Sequence, residues 1–145
     1  LLPTELAFHT IGWIPLKLVC GKDHPLAKSA VDWEELKRHR QIMVAVRSEG
    51  PEKQRLRTAA EVWWVESHWV ILQILRQGIG WALVPDHIVA HSPVAGDLAT
   101  PALQFDVSDW PVALELVWHK QRPSGPAAKW LRERFAKVPI GGADG

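Results

Sequence analysis

The pattern of this 145-residue chain predicts an α/β fold with a mixed, mostly parallel sheet and helices on both faces. Three observations carry that prediction. Short apolar runs of strand length alternate with stretches whose apolar residues recur at helical spacing, the order expected of strands linked by helices. Two of those runs, near residues 42–46 and 80–84, are apolar almost without a break, as strands buried on both faces are. Apolar residues make up 47% of the chain and charged residues 23%, an ordinary globular balance able to close one core.

Residues 16–20, Leu-Lys-Leu-Val-Cys, predict the first strand, bounded by Pro15 and Gly21. After a turn at Asp23-His24-Pro25, Asp32 and Glu35 have the spacing of a capping box, with Val31 and Leu36 as its hydrophobic staple. A helix should follow from Trp33 to about His39, with Lys37, Arg38 and His39 at its negative end. Residues 41–46 form the next strand, and a charged segment runs from Arg47 through Arg57, broken at Gly50-Pro51.

Residues 61–65, Glu-Val-Trp-Trp-Val, are β-branched and aromatic, again a strand. Ser67 can cap a helix carrying Val70, Ile71, Ile74 and Leu75 on one face, which Gly78 ends. Residues 79–84 are a further buried strand stopped by Pro85, and a short helix occupies 86–91. Residues 112–118 complete the central sheet. Ser124 or Gly125 then opens a last helix over 126–138, with Ala127, Trp130, Leu131, Phe135 and Val138 on one face.

Composition narrows the function. Seventeen basic residues against sixteen acidic give a net charge of +1, too near neutral to mark a nucleic-acid binder. No apolar run reaches the ~18 residues of a membrane span. A lone Cys20 excludes an internal disulfide and points to a reducing compartment. The start, Leu1-Leu2-Pro3, carries neither an initiator Met nor a basic n-region, so no signal peptide is visible, and the missing Met suggests a fragment cut from something longer. Nine Trp beside no Tyr and three Phe mean that the core and any pocket are built from indole.

Motifs for catalysis are missing. Gly78-Ile79-Gly80 follows a helix and opens a strand, the reverse of a phosphate-binding loop, so it reads as a helix stop and turn. His87 and His91 are four apart, yet no third metal ligand stands at a suitable spacing. Ser67 and His68 are adjacent on a helix and point apart, so they are not a nucleophile pair. Cys20, mid-strand, reads as a small hydrophobe. Residues 37–40 and Lys53, Arg55 and Arg57 are the basic clusters, and both read as solvated faces. No enzyme, metal or cofactor is expected. What remains is the turn from Val65 into Ser67, where a strand's carboxyl end meets a helix start with free N–H groups. It is either a plain cap or a ligand contact, and Glu66 weakens the case for an anion.

Several motifs stand in a telling order. His24-Pro25-Leu26-Ala27 follows a strand ending Leu-Val-Cys. Val65-Glu66-Ser67 comes about forty residues on, then the helix to Gln77 and Gly78-Ile79-Gly80-Trp81-Ala82-Leu83-Val84-Pro85. Gly96-Asp97-Leu98, the strand Leu114-Glu115-Leu116-Val117 and an amphipathic helix close the series. Over roughly residues 16–138 this resembles the effector-binding (regulatory) domain of LysR-type bacterial transcriptional regulators.

The resemblance implies a fold like the type II periplasmic binding proteins: two α/β lobes, a cleft, and crossing strands at 16–20 and 112–118. Residues 1–22 would hold a crossing strand and a remnant of the first lobe, 23–114 the second lobe, 115–138 the return strand and closing helix of the first lobe, and 139–145 a disordered tail. The family's N-terminal winged helix-turn-helix and the early half of the first lobe have no counterpart here. The implied function is a ligand-sensing and oligomerisation module of a cytoplasmic regulator. Its partners would be a small-molecule effector and further copies of itself, with operator DNA reached only through the absent domain and no membrane. By position, the effector-binding candidates are Ser67 and His68 at the helix start, Arg47 and Ser48 after the strand at Val46, and Pro85 at its strand's end. The alternative with the same fold class is an extracytoplasmic solute-binding receptor of a transporter.

Overall fold

The structure, a computed structural model, describes residues 4–45, 56–105, 112–122 and 125–137. It consists of two compact units, Leu16–Trp110 and the terminal segments Leu1–Pro15 with Pro111–Gly145.

The larger unit is built on a five-stranded sheet of order β4-β3-β5-β2-β6. Its strands are β2 (Leu16–Gly21), β3 (Gln41–Val44), β4 (Val62–Val65), β5 (Trp81–Pro85) and β6 (Leu98–Ala99). β3 is parallel to β4 and β5, and β2 is antiparallel to β5 and β6. The expected α/β class with a mixed sheet holds, although parallel pairing is confined to the two partners of β3. The strand expected at 16–20 is β2, and it lies in this central sheet as predicted.

Strand alternation gives the sheet two apolar faces. Leu18, Cys20, Trp81 and Leu83 pack with Leu26, Val31 and Leu36, so α1 (Trp33–Arg38) covers one face. Val19, Ala82, Val84 and Ile42 pack with Ile71, Leu72 and Leu75, so α2 (His68–Leu75) covers the other. The capping box forms as the sequence requires: Asp32 Oδ1 accepts from Glu35 N–H at 2.8 Å, and Glu35 Oε2 accepts from Asp32 N–H at 2.9 Å. Fully buried Trp81 donates its Nε1–H to the carbonyls of Leu36 and His39 at 3.0 and 3.1 Å, tying the end of α1 to β5.

Gly78 and Gly80 both have positive φ, +80° and +66°, and Gly78 N–H bonds to the Leu75 carbonyl at 2.9 Å. The pair is a helix stop and turn, as its position after a helix implied. The helix after β5 is α3 (Asp86–Ala90), and residues Pro25–Lys28 form a single 3-10 turn.

One expectation is overturned. The strand expected at 112–118 in the central sheet is β7 (Val112–His119), and it pairs antiparallel with β1 (Leu6–Ile14) in a separate two-stranded sheet. β1 itself was not foreseen, because His9, Thr10 and Gly12 interrupt its apolar residues and its register slips between Thr10 and Gly12. Such a bulge breaks the alternation by which strands are recognised. α4 (Pro126–Lys137) packs on β1 in this smaller unit. Val46, Ser124, Val138 and the tail expected at 139–145 lie outside the described residues.

Candidate functional site

Because β3, β4 and β5 run parallel, their carboxyl ends share one edge of the sheet. Antiparallel β2 brings its amino end to the same edge, where Leu16 pairs with Pro85. Ligands of open α/β sheets bind beyond such ends. The residues gathered here are Ala45 after β3, Ser67 and His68 after β4, Pro85 at the end of β5 with Asp86 and His87 after it, and Lys17 at the start of β2.

Ser67 is half-buried with an extended backbone, and its hydroxyl accepts from Val70 N–H at 3.3 Å. It is a true N-cap. No acidic residue occupies the first turn of α2, so nothing there offsets the positive end of its dipole. His68, also half-buried, has its pKa lowered by burial first and by neighbouring His87 second. A neutral imidazole offers one donor and one acceptor. Trp69 is exposed in the same helical turn. Pro85 ends β5 and precedes α3 without a side-chain cap bond, so it contributes an apolar ring and no donor.

The structure thus brings Ser67, His68 and Pro85 to one edge. Arg47 and Ser48 lie outside the described residues. The last described residue before them is Ala45, whose N–H bonds to the Val65 carbonyl at 2.6 Å, two residues before Ser67.

Sequence reasoning missed Lys17 and Asp86. Lys17 Nζ lies 3.2 Å from Asp86 Oδ1 at this edge. The available signal was a single cation in an otherwise apolar strand, but its partner depends on the β2–β5 register.

A depression of about 520 Å³ opens at the opposite edge of the sheet, lined by residues 21–25, 76–78 and Asp97. Asp97 there meets Arg76 at 3.0 Å and Lys22 at 3.8 Å. It sits away from the strand ends where the helix start is open. Burial pushes the Cys20 thiol up to about 11, which leaves it un-ionised at neutral pH. Among the described residues no three His, Cys, Asp or Glu side chains are placed to hold a metal, and no helix is long and apolar enough to cross a membrane.

The LysR substrate binding domain is the family whose model matches, over residues 1–139. Among solved structures, a probable transcriptional regulator of Pseudomonas aeruginosa superposes with a TM-score of 0.73 at 22% identity, over 93% of this chain and 46% of that one. The CcmR regulatory domain of Synechocystis, in complex with 2-PG, gives 0.73 at 18% identity, over 97% and 71%. The effector-binding domain of QuiR, in complex with shikimate, gives 0.72 at 18%, over 91% and 64%. This chain therefore spans about half of the first of these structures and about two-thirds of the others. At such identities the likeness is one of fold. No curated protein matches the sequence significantly.

Proposed function

Because this chain belongs to the LysR substrate binding domain family, we propose that it is the effector-sensing and oligomerisation part of a LysR-type transcriptional regulator. The larger unit takes the role of the second lobe, and the β1–β7 ribbon with α4 that of a remnant of the first. A small molecule seats at the carboxyl edge of β3, β4 and β5. The observation that carries this reading is the convergence of an open, Ser67-capped helix start with His68, Pro85 and Lys17 on that edge. The complexes of related folds with shikimate and with 2-PG support a small effector.

An acceptor group of the effector placed before α2 gains from the first-turn N–H groups, with about 0.3–1 kcal/mol from the dipole alone. Lys17, His68 or Arg47 adds a charge-assisted bond, Ser48 a further hydroxyl, and Trp64 or Trp69 an apolar wall. Glu66 opposes a second negative charge, so the ligand is a mono-anion or a neutral polar aromatic. Signalling requires that the ligand bind one arrangement of the assembled regulator better than another. Contact with DNA belongs to a domain outside this chain, and the setting is the bacterial cytoplasm. Family membership favours this reading over a transporter's solute receptor.

The test is Trp-fluorescence titration of the regulator carrying this domain with a panel of aromatic and aliphatic monocarboxylates and their amides. Wild type is compared with Ser67→Ala and His68→Ala. Weaker binding in both is expected, and unchanged affinity in both would move the site elsewhere and leave Ser67 an ordinary cap.

A further inference from the structure

The depression of about 520 Å³ at the edge away from Ser67 is walled entirely by residues of the larger unit, so it owes nothing to the terminal segments. Its volume falls in the range of about 300–1,000 Å³ usual for small-molecule sites. The turn after β2 forms one wall, and backbone bonds fix it. Lys22 N–H bonds to the Asp97 carbonyl and His24 N–H to the Gly21 carbonyl, each at 3.0 Å. The turn after α2 forms the other. A Cβ added at Gly78 there would meet nothing within 4 Å, so this wall is bare backbone open to an occupant. The charges around the depression are unequally engaged. Arg76 is held twice, by Asp97 Oδ2 at 3.0 Å and by Gln73 Oε1 at 3.4 Å. Lys22 Nζ lies 3.8 Å from Asp97 Oδ1, beyond hydrogen-bond range, so none of its N–H donors is committed there. Among the described residues the Asp23 carboxylate has neither an ion pair nor a hydrogen bond. α2 ends at this rim with no basic residue in its last turn, which leaves the negative end of its dipole uncovered within the helix.

We propose that this depression is a second ligand site, separate from the effector edge, and that it takes a free α-amino acid. The ligand's carboxylate accepts from the Lys22 ammonium, and its own ammonium sits between the Asp23 carboxylate and the carbonyl end of α2. Both bonds are charge-assisted. The charge pattern selects this class. A simple anion would meet Lys22 but also Asp23, Asp97 and the negative end of the helix. A simple cation would meet Asp23 but also Lys22 and Arg76. An α-amino acid carries its two opposite charges on either side of one carbon, and Lys22 and Asp23 present theirs from adjacent residues of a fixed turn. Preorganised walls lower the ordering cost of such binding. The site lies at the opposite edge of the sheet from Ser67, so it gives the domain a second chemical input.

The experiment is calorimetric titration of the regulator carrying this domain with each of the standard amino acids, at neutral pH and up to millimolar concentration. At least one is expected to bind. Its N-acetyl derivative, which lacks the ammonium, and its amide, which lacks the carboxylate, should each bind at least tenfold more weakly. Lys22→Gln and Asp23→Asn change exposed side chains, so both should keep the wild-type far-UV circular dichroism while weakening the amino acid at least tenfold. Binding by none of the amino acids overturns the proposal, as does an N-acetyl derivative or amide that binds as tightly as the free amino acid. Unchanged affinity in either variant overturns it too. If the amino acid is instead lost through Ser67→Ala and His68→Ala, it occupies the effector edge, which removes this site and leaves the proposed function standing.

Discussion

Lys17 Nζ lies 3.2 Å from Asp86 Oδ1, joining the first turn of α3 to the start of β2. The two residues are sixty-nine positions apart, and the Leu16–Pro85 pairing one step away brings them together. Both side chains are about half exposed, 50% and 43%, so the pair itself stabilises the fold little. Its importance lies in what Asp86 does to Lys17: it occupies a cation at the edge where an effector would seat.

Asp86→Asn should therefore cost less than ~1 kcal/mol of stability, as exposed ion pairs do, while tightening the binding of a mono-anionic effector by freeing Lys17. Lys17→Gln should have the opposite effect on binding. Parallel titrations with the same monocarboxylate check both signs, and equal affinities for the two variants would remove Lys17 from the site.

Ser67→Ala removes the hydroxyl that accepts from Val70 N–H. The fold should lose about 1 kcal/mol, the usual worth of an N-cap. Urea unfolding at fixed pH measures it directly. Ser67→Asp, which keeps a capping acceptor and adds negative charge near the N-terminus of α2, should retain stability but oppose an anionic effector. The two variants separate cap from contact.

Acid should weaken the fold. The pKa of His24 is lowered from 6.5, by burial first and by His39 second, and that of His68 by burial and His87. His24 Nδ1 accepts from Leu26 N–H at 3.1 Å, a bond that protonation of that nitrogen removes. With both folded values below the unfolded one, the unfolded chain takes up protons first as pH falls. The stability contributed by neutral His24 and His68 is intact above 6.5 and is lost progressively below it, down to the lowered folded values. Urea midpoints measured across this window should fall with pH, and His24→Asn, which keeps a capping acceptor without the titration, should flatten part of the fall.

The two positive-φ glycines should respond differently to alanine. A Cβ at Gly78 meets nothing within 4 Å, so only the left-handed backbone is penalised, by about 1–2 kcal/mol. A Cβ at Gly80 would also collide with the Arg40 carbonyl oxygen. Gly80→Ala should cost clearly more than Gly78→Ala in thermal unfolding. Equal losses would show that Arg40 gives way without penalty.

The family and its fold class were legible because they are written in short-range features. The Asp32–Glu35 box and the Ser67 cap are hydrogen bonds between residues three apart. The Gly78 stop joins residues equally close, and all three form where their spacing implies. The candidate site was legible in part for the same reason. Ser67 and His68 declare a helix start locally, whereas nothing near Lys17 in the chain names Asp86.

By itself, then, the sequence determined the local elements, their caps and the apolar faces they must bury, because dihedral preference and helical or strand periodicity act over a few residues. Only the tertiary structure decided that β7 leaves the central sheet to pair with bulged β1, that β2 runs antiparallel to β5, and that the Trp81 indole closes the end of α1. Each of these depends on which distant segments together bury the most apolar surface with every backbone group paired. That is a collective choice, and no short stretch of residues contains it.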